Sequence, residues 1–202
     1  MKKWNRSMWL SLVIPFAMLS GCSSDEEKAD PPAEAEEMKE VPSEENEKIR
    51  LLEKQLTYKL DGQTNTETAF LKNSDHQPYS LYVLQNFEFT AEEPQKDVIF
   101  SKQEDQYFMR IEVLSVKEPD SLIEEVNTAL STVNPNVQEL PASEAGAWLS
   151  NARIFQSAAD DSTVTAYLIP SGNKTIKLTV FDNSKQRYQS AFLTMAETLS
   201  LK

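Results

Sequence analysis

The chain has one cysteine, Cys22, and one histidine, His76. The side chains best suited to nucleophilic attack and to proton transfer near neutral pH therefore occur once each. His76 lies in the polar stretch Asn73-Ser74-Asp75-His76-Gln77-Pro78, where Asp75 is placed to orient an imidazole. No serine sits in a nucleophile elbow and no third partner is identifiable, so His76 reads as a solvated loop residue. Carboxylates are plentiful. Glu88, Glu92, Glu93 and Asp97 flank one stretch, and a facing pair of such groups can cleave a glycan. Glu124 and Glu125 are adjacent on a predicted helix and do not face each other. Asp160-Asp161 and Asp182-Asn183 fall short of a calcium-loop spacing and read as a turn and a helix cap. A lone histidine and a lone cysteine do not make a zinc site. The four glycines, Gly21, Gly62, Gly146 and Gly172, form no phosphate-cradling loop. No catalytic residue, metal or cofactor is assigned, and the chain is expected not to be an enzyme.

Cys22 has a distinctive setting. Lys2, Lys3 and Arg6 precede an apolar run over residues 8–19, broken by Ser11 and Pro15 and followed by Ser20 and Gly21. A basic start, an apolar core and a small-residue exit form the layout of an export signal. The run is short of the roughly 20 residues that span a hydrocarbon core. Leu19-Ser20-Gly21-Cys22 resembles the lipobox of bacterial lipoproteins. The resemblance implies that residues 1–21 are a cleaved signal peptide, and that Cys22 carries a diacylglycerol on its sulfur and becomes the N-terminus. Two acyl chains hold a protein to a membrane stably where one does so only marginally. With no second cysteine, no internal disulfide can form on the oxidising side.

Residues 22–48 follow as the lipidated start of a tether. Between 23 and 48 lie eleven acids and three lysines, a net charge of −8, punctuated by Pro31, Pro32 and Pro42. Met38 and Val41 are its only large apolar residues. Such a segment buries too little surface to offset its ordering entropy, and its charge pushes it away from an anionic bilayer. Without the signal, 17 basic and 32 acidic residues remain, a net charge of −15. That excludes nucleic acid and anionic wall polymers as direct partners unless a basic cluster exists, and the sequence shows none.

Residues 49–202 have the length and apolar content of one globular domain. Ser43 and its acidic followers, with Ile49, Leu52 and Leu56 at helical spacing, predict a short opening helix. The period then changes to two. Leu56, Tyr58 and Leu60 lead into Asp61-Gly62, a hairpin signal, and the chain returns through Thr66, Thr68 and Phe70. Further strands are predicted over 79–84 and 97–101, and then through Tyr107, Met109, Ile111 and Val113. The acidic run Thr90-Ala91-Glu92-Glu93-Pro94 reads as a loop. Pro119-Asp120 opens a helix with the stripe Leu122, Val126, Ala129 and Val133. Three strands follow over 148–156, 163–169 and 174–181. A closing helix has the seam Tyr188, Phe192, Met195 and Leu199. The class is α+β, an antiparallel β-sheet packed by two main helices.

This order resembles the Mog1/PsbP-like fold. The likeness is carried by Tyr82-Val83-Leu84 with Phe87-Glu88-Phe89, by Asp97-Val98-Ile99-Phe100-Ser101 and by Met109-Arg110-Ile111-Glu112-Val113-Leu114. It extends over residues 56–201 and implies partner binding or an assembly role rather than a shared active site. Tyr79, Tyr82, Phe87 and Phe89 make an aromatic stretch beside the acidic run, and form the candidate surface for an envelope protein partner. Trp148, the only tryptophan after residue 21, reads as a core or strand-end aromatic rather than a ligand platform. The expected function is a membrane-anchored extracytoplasmic lipoprotein, a non-catalytic binding or assembly-accessory module of the cell envelope. The alternative is an envelope hydrolase using surface carboxylates or His76. A solute-binding protein of two lobes would need a longer chain. The short basic leader and the lack of a disulfide point to the outer face of a Gram-positive cytoplasmic membrane.

Overall fold

The computed structural model describes residues 50–115 and 119–202. The signal peptide, Cys22, the tether and the start of the opening helix at Ser43 lie outside the described residues.

Asp61 and Gly62 close the first hairpin, both with positive φ (51° and 77°), as a two-residue turn between twisted strands demands. They join β1 (Glu53–Leu60) to β2 (Gln63–Asn73) in a register running from Glu53 opposite Phe70 to Leu60 opposite Gln63. The expected opening helix is replaced here. Leu56 lies in β1, and Leu52 is 79% exposed, with its carbonyl accepting from the Leu71 amide at 2.8 Å. The alternation of Leu56 and Tyr58 wins over the helical spacing because both side chains are buried in the core.

β3 (Tyr79–Leu84) pairs with β2 and with the short β11 (Ser200–Leu201), giving a four-stranded sheet in the order β1-β2-β3-β11. A second sheet has seven strands. These are β4 (Phe87–Glu93), β5 (Lys96–Ser101), β6 (Phe108–Leu114), β7 (Gln138–Leu140), β8 (Arg153–Ala159), β9 (Ser162–Ser171) and β10 (Lys174–Asn183). Their order is β4-β5-β6-β10-β9-β8-β7, and every pair is antiparallel. The domain is therefore sheet-rich α+β, with two antiparallel sheets rather than the one expected. The acidic run 90–93 is part of strand β4, not a loop. β4 is an edge strand, and its charged residues and the register shift between Ala91 and Glu93 suit an edge that must not recruit another chain.

Helix α1 (Pro119–Ser131) lies between β6 and β7, and α2 (Gln189–Ala196) follows β10. Each covers a different part of the core. Leu122, Val126 and Leu130 of α1 pack on Phe155, Val164, Ala166 and Leu168. Leu130 takes the place expected for Ala129, which is exposed. Tyr188 and, from α2, Ala191, Phe192 and Met195 join the larger core with Ile99, Met109, Ile111, Leu178 and Val180 of the seven-stranded sheet. The cross-strand partners Ile111–Leu178 and Met109–Val180 place these side chains on one face. The strand expected from Trp148 begins later. Gly146, at φ 104°, starts a 3-10 turn (Ala147–Leu149), and β8 opens at Arg153.

Candidate functional site

Tyr79, Tyr82 and Phe87, expected on a partner surface, are buried, and Phe89 packs half-buried against the same core. All six residues of β3 are buried, which leaves no outward face for its aromatics. The Tyr82 hydroxyl donates to the Leu51 carbonyl at 2.7 Å. Arg50 sits 4.6 Å over the Tyr82 ring and donates to the carbonyls of Ser80 and Thr198. Phe87 meets Phe192 edge-on at 5.4 Å. Three of the four are thus core side chains, and Phe89 alone keeps part of its surface exposed.

The carboxylates near that stretch do not converge. Asp97 is 1% exposed, and its Oδ2 accepts from Ser74 Oγ (2.7 Å), Gln77 Nε2 (2.6 Å) and the Tyr79 hydroxyl (2.6 Å). Burial foremost, then the hydrogen-bonded Asp97, pushes the Tyr79 hydroxyl pKa far above its ordinary value. Gln77 also donates to the Ile111 carbonyl (3.1 Å) and accepts from the Val113 amide (2.7 Å). The network thus fastens the loop before β3 onto β5 and β6. Asp97 Oδ1 is buried without a partner among the described residues. Glu92 is gripped by Arg110 at 2.5 and 2.8 Å, and the guanidinium holds its carboxyl below the usual range. Glu93 pairs with Lys96 at 2.9 Å, and Glu88 and His76 are exposed. Asp160-Asp161 forms the β8–β9 turn. Among the described residues no group of three or more potential ligands could hold a metal. No described helix is long and apolar enough to cross a membrane.

A concavity lies on another side, between α2, the turn at 147–149 and strands β7 to β9. It encloses about 660 Å³, within the roughly 300–1,000 Å³ of small-molecule sites. Ile154 and Tyr167 lie buried at its floor, with Trp148 and Leu193 half-buried along its walls. Trp148 is therefore a wall of the cleft as well as a neighbour of the core. Asp182 fixes the start of α2, because its carboxylate accepts from the amides of Tyr188 (2.7 Å) and Gln189 (2.8 Å). Burial raises its pKa, and the backbone donors oppose that rise. So placed, Gln189 Nε2 donates to the Tyr167 hydroxyl at 2.5 Å. Burial pushes that hydroxyl up to about 12, against the Gln189 bond and with the help of the Asp182 charge. Gln156 Nε2 donates to Thr165 Oγ1 at 3.0 Å.

Both glutamines are thus held by their nitrogens, and their carbonyl oxygens have no protein partner among the described residues. Lys185 and Glu197, both exposed, are the charged residues of the lining. Ser190, also in the lining, accepts from the Lys59 amide at 2.9 Å and thereby ties α2 to the edge of β1. The arrangement offers donors, acceptors and an aromatic face, but no facing carboxylates and no histidine.

A second, smaller groove of about 260 Å³ runs between α1 and the outer face of the seven-stranded sheet. Its cations are engaged. Lys177 lies 3.2 Å from Glu112 and 3.1 Å from Glu125, and Arg110 is held by Glu92.

Sequence reasoning missed the cleft residues. The signals that could have pointed to them are Gly146 just before Trp148, and Gln186 and Gln189 ahead of the apolar seam of the last helix.

A family model described as "Domain of unknown function (DUF8580)" matches residues 50–198. No curated protein matches the sequence. Among solved structures, cyanobacterial PsbP from Synechocystis is similar with a TM-score of 0.42 and 12% identity, over 66% of this chain and 92% of that one. The Ran-binding protein Mog1p of Saccharomyces cerevisiae is similar with a TM-score of 0.45 and 7% identity, over 66% and 95%. Both likenesses concern the course of the chain alone.

Proposed function

We propose that this chain, which belongs to the DUF8580 family, is a lipid-anchored extracytoplasmic binding module. Cys22 carries the diacylglycerol, residues 22–48 hold the domain away from the bilayer, and the cleft beside Trp148 receives a component of the cell envelope. The observation that carries the reading is the set of polar groups around a buried floor, each pinned by the fold at one end and unpaired at the other. Side chains fixed in that way are pre-organised, so a ligand loses little free energy in ordering them. The lining has one acid and one base, both exposed, which suits binding better than proton transfer.

The test places a photo-reactive residue at Lys185 or Glu197 on the cleft rim, and at Glu88 on β4, in the full-length protein in cells. Adducts with envelope material from the rim positions and none from Glu88 are expected. Cys22→Ala is expected to release the protein from the membrane fraction. Adducts from Glu88 alone, or a Cys22→Ala protein still in the membrane fraction, would contradict the reading.

A further inference from the structure

The cleft also indicates what kind of molecule it takes. Among the described residues its charged groups are Lys185 and Glu197, of opposite sign and both at the exposed rim, so the described lining carries no net charge. The chain as a whole carries a net charge of −12, which disfavours an anionic ligand still further. The interior polar groups are amides and hydroxyls. Gln156 and Gln189 have their nitrogens engaged by Thr165 and Tyr167, so each directs an acceptor oxygen to an incoming donor. Trp148 is the aromatic of the same lining. Its indole adds a flat apolar face, partly exposed beside the half-buried Leu193.

A lipid tail would leave these amides unpaired, at a cost that disfavours it. An acidic polymer finds no cationic cluster. A sugar ring matches every feature, because it presents an apolar C–H face for stacking and a rim of hydroxyls that donate and accept.

We infer that the cleft between α2 and the Trp148 turn binds an uncharged oligosaccharide, one ring stacked on Trp148 and its hydroxyls bonded to Gln156 and Gln189. This rests on the binding-module reading above and names the ligand class for the same site. Gly146 supports the platform. At φ 104° it adopts a backbone that other residues rarely take, and a Cβ there would lie 3.7 Å from Trp148 Cδ1, in contact with the ring edge.

The test is a calorimetric titration of the detergent-purified full-length protein with maltotetraose, cellotetraose and the tetramer of N-acetylglucosamine. At least one is expected to bind saturably with a Kd below about 1 mM. Gln156→Ala and Gln189→Ala are each expected to weaken it by roughly tenfold, and Trp148→Ala to abolish it. Thermal midpoints check folding. If Trp148→Ala fails to fold, the two glutamine variants and Trp148→Phe decide. No heat with any of the three sugars up to about 10 mM overturns the inference. So does binding that all folded variants retain. Saturable binding of an uncharged tetrapeptide or of phosphatidylglycerol vesicles in place of the sugars overturns the ligand class but leaves the binding module standing. Silence toward every probe, together with no rim crosslink in cells, overturns both.

Discussion

The side of the domain around β3 to β5 and the side around α2 and Trp148 are both rich in aromatic and polar groups, with opposite outcomes. On the first side nearly every polar group ends on a protein partner. Ser74, Gln77 and Tyr79 converge on Asp97, Arg50 clamps Ser80 and Thr198, and Arg110 and Lys96 take Glu92 and Glu93. On the second side the fold pins Gln156 and Gln189 by one end and leaves the other end to the cleft. An aromatic and acidic stretch in a sequence does not by itself mark an interface. What we propose as a binding site is instead hydrogen-bonding capacity that faces a cleft, which appears only in three dimensions.

The sharpest way to break this contrast is Asp97→Ala. It strands the buried donors of Gln77 and Tyr79 and the half-buried Ser74, and removes a buried side chain, so a loss of about 3–5 kcal/mol in unfolding free energy is expected by urea titration. A loss below about 1 kcal/mol would mean that the β3–β5 side is not held together as described. Tyr79→Phe removes one of the three donors and is expected to cost about 1–2 kcal/mol, with ligand capture by the cleft unchanged.

Asp182, at the start of α2, gives the cleft side a dependence on pH. Its pKa is raised by burial, so its share of stability is full below the unfolded carboxylate value and is lost as pH rises through the folded one. Against Asp182→Asn, the parent protein is expected to gain relative stability as pH falls from 7 toward 4 in urea titrations. Glu92 gives the opposite sign, because Arg110 lowers its pKa. Its contribution is present above the ordinary glutamate value and disappears as pH falls. The Glu92 side chain is more than a third exposed and solvent screens the pair, so Glu92→Gln is expected to cost about 0.5 kcal/mol or less at pH 7 and nothing in acid. A larger loss at pH 7 from Glu92→Gln than from Asp97→Ala would reverse the ranking of buried network over surface pair.

Much of the fold was legible in the sequence because alternation is a direct record of faces. Met109 and Ile111 point inward as their period of two predicts, and Tyr188, Phe192 and Met195 form the buried seam of the last helix. Asp61-Gly62 announced its turn through backbone preference alone. The failures share a cause in tertiary context. Leu52 and Leu56 fit a helical spacing, yet pairing with β2 carried Leu56 into a strand. The run 90–93 is polar enough for a loop, but edge strands tolerate charge. Tyr79 and Tyr82 read as a patch in the sequence because nothing there shows that β3 is covered on both faces, and Phe87 is the one fully buried residue of β4. The cleft was illegible because Gln156, Gln189 and Trp148 come from three segments that only the folded sheet and helix bring together.

The central claim is that the cleft beside Trp148, and not the aromatic stretch of β3 and β4, is where this domain meets its ligand. It is tested most directly by measuring unfolding free energy and crosslink yield from the Glu197 position for Trp148→Ala and Tyr79→Phe side by side. Trp148→Ala is predicted to abolish the crosslink while lowering stability by about 2 kcal/mol or less, since Trp148 is only half-buried. Tyr79→Phe is predicted to lower stability and leave the crosslink intact. A crosslink that survives Trp148→Ala and is lost in folded Tyr79→Phe would contradict the account.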